Sequence, residues 1–208
     1  AVVNTHHLAE AMERCALEAA GELGLPLAVS REPVIAGTGG ALREARGHLA
    51  GAGLLVLWNG DVLFDLDLPA AVAAHRASDA LATLVLAPMP PGGRWAPVEV
   101  DAHGAVRRIA GAFGPGGPDL VPLHFTGVHL LSPEILDAVP AEPFASDINR
   151  HLYPPLLGGG RVRAHLSGGY WNDLGTPERY LAANLDLLRG AVPRGHLRGA
   201  DPFAGLEP

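Results

Sequence analysis

The fold of this 208-residue chain is decided by one stretch, Leu54-Leu55-Val56-Leu57-Trp58-Asn59-Gly60-Asp61. Its first five residues are all apolar, which predicts a central strand covered by helices on both faces. Two turn-forming residues and then a carboxylate follow directly. Open α/β sheets bind ligands beyond the carboxyl ends of their strands, so the stretch predicts an α/β fold with Asp61 as the first candidate for a functional site.

Helical and strand patterns alternate on both sides of this stretch. Apolar spacing and capping residues predict helices at 8–23, 41–49, 67–77, 147–157 and 176–189. Apolar runs predict strands at 27–30, 54–58, 82–87, 124–131 and 162–166, with a hairpin joining 97–100 to 105–109. The triplet Ser132-Pro133-Glu134 predicts another helix start, with the serine hydroxyl as its N-cap. This alternation is typical of a layered α/β domain with a largely parallel sheet and a hairpin insertion.

The composition excludes several classes of function. A net charge of −7 and an aromatic content of 5% argue against a nucleic-acid partner, which needs basic surfaces or exposed stacking rings. All 15 basic residues are arginines, so no lysine nucleophile or lysine phosphate clamp occurs in this sequence. Cys15 is the single cysteine, which excludes an intrachain disulfide and favours a cytoplasmic location. The apolar run 54–58 is far too short to span a bilayer, and no membrane partner is expected.

Two aspartates at loop positions are candidates for binding a metal. Asp61 follows a strand, and Asp173 stands just ahead of a helix N-terminus. Two carboxylates are what a magnesium–phosphate site requires, because they offset the charge of the cation while substrate phosphates fill its remaining positions. Ordinary turn chemistry for Asp61 and a helix-capping role for Asp173 are the open alternatives.

Two glycine-containing segments also have both a functional and a structural interpretation. The loop Gly37-Thr38-Gly39-Gly40 precedes a predicted helix, where its backbone N–H groups can approach a ligand; a tight turn without a ligand would need the same residues. Thr126-Gly127 lies within a predicted strand and indicates either a β-bulge or the close approach of a ligand.

Five segments, read in order, carry a resemblance to a known family. They are Val3-Asn4-Thr5-His6-His7-Leu8; Glu32 with Gly37-Thr38-Gly39-Gly40; Asn59-Gly60-Asp61; Phe125-Thr126-Gly127-Val128-His129; and Trp171-Asn172-Asp173-Leu174-Gly175-Thr176-Pro177-Glu178-Arg179-Tyr180-Leu181. Over roughly 2–189 the chain resembles the sugar-phosphate nucleotidylyltransferases, in particular bacterial mannose-1-phosphate guanylyltransferases and N-acetylmuramate-phosphate uridylyltransferases. The resemblance implies a Rossmann-like three-layer α/β/α sandwich with a mostly parallel mixed sheet.

The resemblance also implies a reaction and a set of site residues. The reaction joins a nucleoside triphosphate to a sugar 1-phosphate and gives a nucleotide sugar and pyrophosphate. Asp61 and Asp173 would be the catalytic aspartates that bind Mg²⁺, and Thr126 and Gly127 would line the sugar-phosphate pocket. Residues implied to bind the nucleotide are Glu32, Gly37, Thr38, Gly39, Asn59 and Gly60. GTP with mannose 1-phosphate is favoured, and a uridine nucleotide with an N-acetylated sugar is the alternative.

The sequence departs from the family pattern at two places. The family's first strand and its G-x-G-T-R loop do not precede Val2, and 109–114 stands where the family has a Glu-Lys-Pro sugar clamp. We therefore expect a nucleotidyltransferase domain at 1–189 that lacks its first strand and loop, a tail or linker at 190–208, and little turnover by these residues alone. The alternative is a non-catalytic module that binds a nucleotide sugar. The sequence leaves the oligomeric state open, a homo-oligomer included.

Overall fold

A computed structural model describes residues 1–92 and 95–193. Its strands are β1 Val2–Thr5, β2 Ala28–Arg31, β3 Leu55–Trp58, β4 Val62–Phe64, β5 Ala82–Ala87, β6 Val98–Val100, β7 Val106–Ile109, β8 Val121–Leu131, β9 Val162–Leu166 and β10 Trp171–Asp173. Its α-helices are α1 Ala9–Glu22, α2 Gly37–Glu44, α3 Arg46–Leu49, α4 Leu68–Arg76, α5 Pro154–Leu157 and α6 Pro177–Leu188. Of the predicted tail, 194–208 lies outside the described residues, so the boundary at 189 stays a prediction.

The main sheet is mixed and has six strands. Its order is β7-β6-β8-β5-β9, and β3 pairs with β8 alongside β6. Strands β3, β5, β6 and β9 run in one direction, because β3, β5 and β6 are each antiparallel to β8 while β9 is parallel to β5. The α/β class with a mixed sheet is therefore confirmed. The sheet is less parallel than predicted: of its described pairs only β5–β9 is parallel, because the long strand β8 lies antiparallel between β5 and the strands β3 and β6.

The apolar core lies on both faces of this sheet. Strand β5 is its centre, with Leu84, Val85 and Leu86 fully buried. Leu84 and Leu86 belong to the larger cluster, which includes Tyr153, whereas Val85 faces a smaller cluster under α4. Because neighbouring residues of β5 point to opposite faces and both faces are buried, the sheet forms the middle of three layers.

Strand β3 corrects the first prediction drawn from the sequence. The sequence predicts a central strand buried on both faces, but Val56 is 42% and Trp58 37% exposed. One edge of β3 pairs with β8, while its other edge faces a cavity of about 400 Å³ whose far side includes residues of β1. An apolar run reports the tendency of side chains to be buried and carries no information on whether both strand edges are paired.

Three helix predictions also change. Helix α2 begins at Gly37, four residues before the predicted start, because the amides of Gly39 and Gly40 are paired with the Ser146 carbonyl. Ser132 does not cap the helix that follows it: its hydroxyl donates to the Ala80 carbonyl, and residues Pro133–Ala138 form a 3₁₀-helix. The predicted helix 147–157 divides into a π-helical turn, Ile148–Leu152, and α5. The caps at Asp67 and Thr176 form as expected.

Candidate active site

Two short strands that the sequence did not predict bring the candidate aspartates together. Strand β4 pairs antiparallel with β10, so that Val62 lies opposite Asp173. The pairing continues past the strand end, where the Leu174 amide donates to the Asp61 carbonyl at 2.8 Å. This register puts Asp173 opposite Val62 and Leu174 opposite Asp61, so the two aspartates lie one position apart on neighbouring segments although they are 112 positions apart in the sequence.

Both aspartates line one cavity of about 310 Å³, called the aspartate cavity below. Asn59, Thr126 and Gly127 line it as well, so five of the ten predicted site residues meet there. The cavity lies beyond the carboxyl end of β3, where ligand sites of open α/β sheets are expected. It is open and carries polar groups from several segments, which suits a phosphate-bearing ligand rather than a purely apolar one.

Asp173 is held in place by two internal hydrogen bonds. The Gly175 amide donates to its Oδ1 at 2.7 Å, and Nη1 of Arg179 donates to its Oδ2 at 2.9 Å. Arg179 comes from the first turn of α6, whose start is fixed by the Thr176 cap. The carboxylate is thus pre-oriented, and the guanidinium of Arg179 offsets part of its charge.

The cavity wall next to Asn59 and Val62 contains a β-bulge. The register of β8 against β5 shifts between Leu84 and Leu86, and Gly127 within the shift has a φ of +88°. A Cβ on Gly127 would lie 3.1 Å from Nδ2 of Asn59, so a larger residue would crowd the cavity wall. The bulge predicted for Thr126-Gly127 is therefore confirmed. Thr126 is fully buried, and its hydroxyl donates to the Val85 carbonyl at 2.8 Å.

The remaining predicted residues lie elsewhere, apart from Gly60, which forms the turn between Asn59 and Asp61. Glu32 is 5% exposed, and its two oxygens accept hydrogen bonds from the Ala36 amide at 3.0 Å and from Nδ2 of Asn4 at 3.1 Å. Glu32 thus ties β1 to the start of α2. It does not line the aspartate cavity, and its role in binding the nucleotide stays a prediction.

The segment Gly37-Thr38-Gly39-Gly40, called the glycine turn below, packs against the chain at Ser146. The amides of Gly39 and Gly40 donate to the Ser146 carbonyl at 2.7 and 3.2 Å. A Cβ on Gly39 would lie 2.8 Å from the Ser146 Oγ, closer than side chains can approach. The hydroxyl of Thr38 accepts from the Ile148 amide at 3.1 Å. These contacts explain the glycines structurally, and a nucleotide contact by Gly37, Thr38 or Gly39 stays a prediction.

Sequence reasoning missed an aromatic group on the cavity wall. The imidazole of His124 lies 4.3 Å from the Trp171 ring and 4.9 Å from the Trp95 ring, measured between centroids. Alternation along β8 places His124 on the same face as Thr126, a signal that was available in the sequence. Trp95 follows a Pro- and Gly-rich stretch of sequence that has no periodicity, so no sequence pattern pointed to it. Asn149, on the π-helical turn, lines the cavity as well.

The donor chemistry of the aspartate cavity fits a magnesium ion. Asp61 and Asp173 offer hard carboxylate oxygens, and Mg²⁺ binds proteins through one or two carboxylates while phosphates and waters complete its shell. Within 1–92 and 95–193 there is no group of three or more His, Cys, Asp or Glu that could hold a metal ion unaided. A cation here would therefore depend on the phosphates of a ligand.

Within residues 1–92 and 95–193, no helix is long and apolar enough to cross a membrane.

Comparisons with known proteins agree with this geometry. A family model described as nucleotidyl transferase matches residues 1–190. A mannose-1-phosphate guanylyltransferase of Mycobacterium tuberculosis is 30% identical over 179 residues, which is 85% of this chain and 48% of that protein. The small subunit of a wheat (Triticum aestivum) glucose-1-phosphate adenylyltransferase is 25% identical over 64% of this chain and 33% of its own length. The chain spans about half the length of the mannose-1-phosphate guanylyltransferases it matches and a third of the wheat protein.

Solved structures show the same fold. HddC from Yersinia pseudotuberculosis superposes with a TM-score of 0.72 at 19% identity, covering 89% of this chain and 77% of that one. Its complex with GMP-PN superposes with a TM-score of 0.70. The family match over nearly the whole described chain, together with the shared fold, shows that this chain belongs to the nucleotidyl transferase family, as a relative of the sugar-phosphate nucleotidyltransferases.

Proposed function

We propose that this chain forms the substrate-binding core of a sugar-1-phosphate nucleotidyltransferase. It would bind a nucleoside triphosphate, a sugar 1-phosphate and Mg²⁺ in the aspartate cavity. The single observation that carries the proposal is the pairing of β4 with β10, which brings Asp61 and Asp173 to one cavity. This arrangement supports the metal-binding role that the resemblance implies for the two aspartates.

Different residues of the cavity would bind the metal ion and the sugar phosphate. Asp61 and Asp173 would hold Mg²⁺, which supplies charge neutralisation for the phosphate oxygens when bound. Asn59, which sits against the β8 bulge, and the backbone at Thr126 and Gly127 would position the sugar phosphate. The bulge matters because it re-aims the backbone of β8 toward the cavity at this point.

The proposed reaction needs positioning more than covalent chemistry from the protein. An oxygen of the sugar 1-phosphate attacks the α-phosphorus of the triphosphate in line, and the bond from that phosphorus to the bridging oxygen breaks. The products are a nucleotide sugar and pyrophosphate, with no covalent enzyme intermediate. Holding the two substrates in register supplies the rate enhancement, because an oriented pair reacts as if it were a single molecule.

GTP and mannose 1-phosphate are the favoured substrates. The Mycobacterium tuberculosis relative carries that activity in its name, and HddC binds GMP-PN in its solved complex. The wheat relative acts on glucose 1-phosphate with an adenine nucleotide, so a screen must include other pairs. The low turnover expected of the 208 residues alone stays a prediction, and clear pyrophosphate release by them would contradict it.

Binding measured by titration calorimetry tests the proposal directly. We expect the chain to bind GTP when Mg²⁺ is present and to lose roughly 100-fold in affinity in Asp61→Asn, as expected when a charged group loses its partner. Asp79→Asn is the matched control, because Asp79 is exposed and precedes β5 outside the cavity. Equal binding by the wild type and Asp61→Asn, or no binding of GTP, UTP or ATP by the wild type, would overturn the proposal.

A further inference from the structure

His124 is a buried polar side chain without a partner. It is 3% exposed, and neither Nδ1 nor Nε2 has a hydrogen bond in the described chain. Buried polar groups are nearly always paired, because an unpaired one keeps the full cost of leaving water. Two other buried histidines follow that rule: His129 bonds to the Tyr153 hydroxyl, and His75 bonds to Thr83 and Ser132. The unpaired ring of His124 therefore needs an explanation.

The ring lies in the wall between two cavities. One is the aspartate cavity, and the other, of about 350 Å³, is lined by Ser167, Gly168 and Gly169 among others. Trp95, His124 and Trp171 line both, and the centroids of the two tryptophan rings are 5.6 Å apart. An unpaired imidazole flanked by two indoles thus stands beside the predicted metal ligands. Aromatic faces suit the C–H surface of a sugar ring, and polar groups set among them give directional recognition.

The charge state of His124 narrows the ligand chemistry. Burial lowers the pKa of the imidazole, and the nearby Asp173 carboxylate offsets this only in part. A neutral imidazole has one N–H donor and one bare nitrogen acceptor. The N–H can donate to either a phosphate or a hydroxyl, but the bare nitrogen can pair only with a donor. A hydroxyl can donate to that nitrogen, whereas an ionised phosphate oxygen cannot.

We propose that His124 is a specificity residue that hydrogen-bonds a ring hydroxyl of the sugar phosphate, which lies against Trp95 and Trp171. This inference rests on the proposed function. It names the part of the substrate that would contact the aromatic wall, which consists of Trp95, His124 and Trp171. The imidazole then stays unpaired until the substrate binds. The free energy lost by burying it without a partner is regained when the sugar hydroxyl forms the hydrogen bond.

Access to His124 depends on Trp95. Both ring nitrogens are covered in the free chain, and Trp95 is one of the two rings in contact with the imidazole. Trp95 is itself half-buried and carries the Arg179 guanidinium 4.9 Å from its ring centroid. Arg179 also bonds to Asp173, so the aromatic wall and the proposed metal ligand are linked through one side chain. Displacement of Arg179 at Asp173 would also free the outer face of Trp95.

The test compares sugar phosphates that differ by one hydroxyl. Mannose 1-phosphate and its 2-, 3-, 4- and 6-deoxy analogues are titrated against the chain with GTP and Mg²⁺ present, using tryptophan fluorescence. We expect the wild type to bind one deoxy analogue about tenfold more weakly than the parent, the usual effect of one lost neutral hydrogen bond. In His124→Phe that difference disappears, while the affinity for inorganic pyrophosphate is unchanged. His165→Phe is the matched control, because His165 lies on β9 outside both cavities.

Thermal unfolding separates a role in recognition from a role in folding. Because the imidazole has no partner to lose, His124→Phe should unfold at the same temperature as the wild type or higher. A lower unfolding temperature with an unchanged preference among the sugars would overturn the inference and leave the proposed function standing. A wild-type chain that binds GTP but neither mannose 1-phosphate nor glucose 1-phosphate would overturn the inference together with the sugar-phosphate part of the proposed function.

Discussion

The aspartate cavity and the glycine turn look alike in the sequence and differ in the structure. Each combines turn residues with a predicted phosphate or metal contact. Asp61 and Asp173 line the cavity beside an unpaired imidazole, and although Asp173 is bonded to Gly175 and Arg179, the described residues give the Asp61 carboxylate no hydrogen bond. At the glycine turn, the amides that the sequence offers to a phosphate are paired with the Ser146 carbonyl. A ligand site needs polar groups that the fold has left unpaired, and motif chemistry alone does not reveal which groups those are.

Because of this difference, we expect substitutions at the aspartate cavity to lower ligand affinity and substitutions at the glycine turn to lower stability. Gly39→Ala places a methyl group 2.8 Å from the Ser146 Oγ and 2.9 Å from its carbonyl oxygen. Because the backbone oxygen cannot move away easily, we expect a loss of about 1–3 kcal/mol in the free energy of unfolding. GTP affinity should stay at the wild-type level. Denaturant unfolding and calorimetric titration measure the two quantities.

A matched glycine supplies the control. Gly47 lies within α3, and a Cβ added to it meets no atom within 4 Å. Gly47→Ala should therefore raise the free energy of unfolding by about 0.5–1 kcal/mol through helix propensity. If Gly39→Ala instead keeps its stability and loses GTP affinity, the glycine turn is a nucleotide site and the contrast drawn above is wrong.

Two histidines on β8 show the same difference between an unpaired and a paired polar group, with a smaller expected effect. His124 is unpaired at the cavity, whereas His129 is fully buried in the core and bonds to Tyr153. Burial lowers the pKa of His129 from 6.5 to about 3. Between these two pKa values, His129 carries a proton in the unfolded chain but not in the folded chain, so the free energy of unfolding falls as the pH falls. His129→Gln should reduce the slope of unfolding free energy against pH by up to about 1.4 kcal/mol per pH unit.

The control for this slope is Tyr153→Phe. It removes the hydrogen bond and keeps the buried imidazole, so the slope should persist while overall stability falls. Unfolding measured at several values between about pH 4 and pH 6 gives both slopes. An unchanged slope in His129→Gln would show that other groups dominate the acid sensitivity.

Much of the fold followed from periodicity. The predicted helix at 8–23, the strand at 82–87 and the hairpin at 97–109 match α1, β5 and the β6–β7 pair closely. These elements have strong apolar patterns and clear turn residues, which local sequence determines. The edge position of β3 could not be predicted, because strand order depends on contacts between distant segments.

For the candidate site, the resemblance named Asp61 and Asp173 but did not show which elements bring them to one cavity. Strands β4 and β10 are three residues each and too short to leave a periodic pattern. Their pairing is long-range and brings the aspartates together only in the folded chain. Trp95 lies in an irregular segment and Asn149 on a π-helical turn, where sequence patterns are weakest. The unpaired state of His124 depends on all of its neighbours and has no local signal.

The most direct test of the central claim is a double-mutant cycle on Mg²⁺-dependent GTP affinity. It uses the wild type, Asp61→Asn, Asp173→Asn and the double variant, all measured by titration calorimetry. If the two carboxylates hold one cation together, each single change removes the shared site and costs roughly 100-fold, and the double variant is little worse than either. Costs that multiply in the double variant, or wild-type affinity in either single variant, would contradict the account.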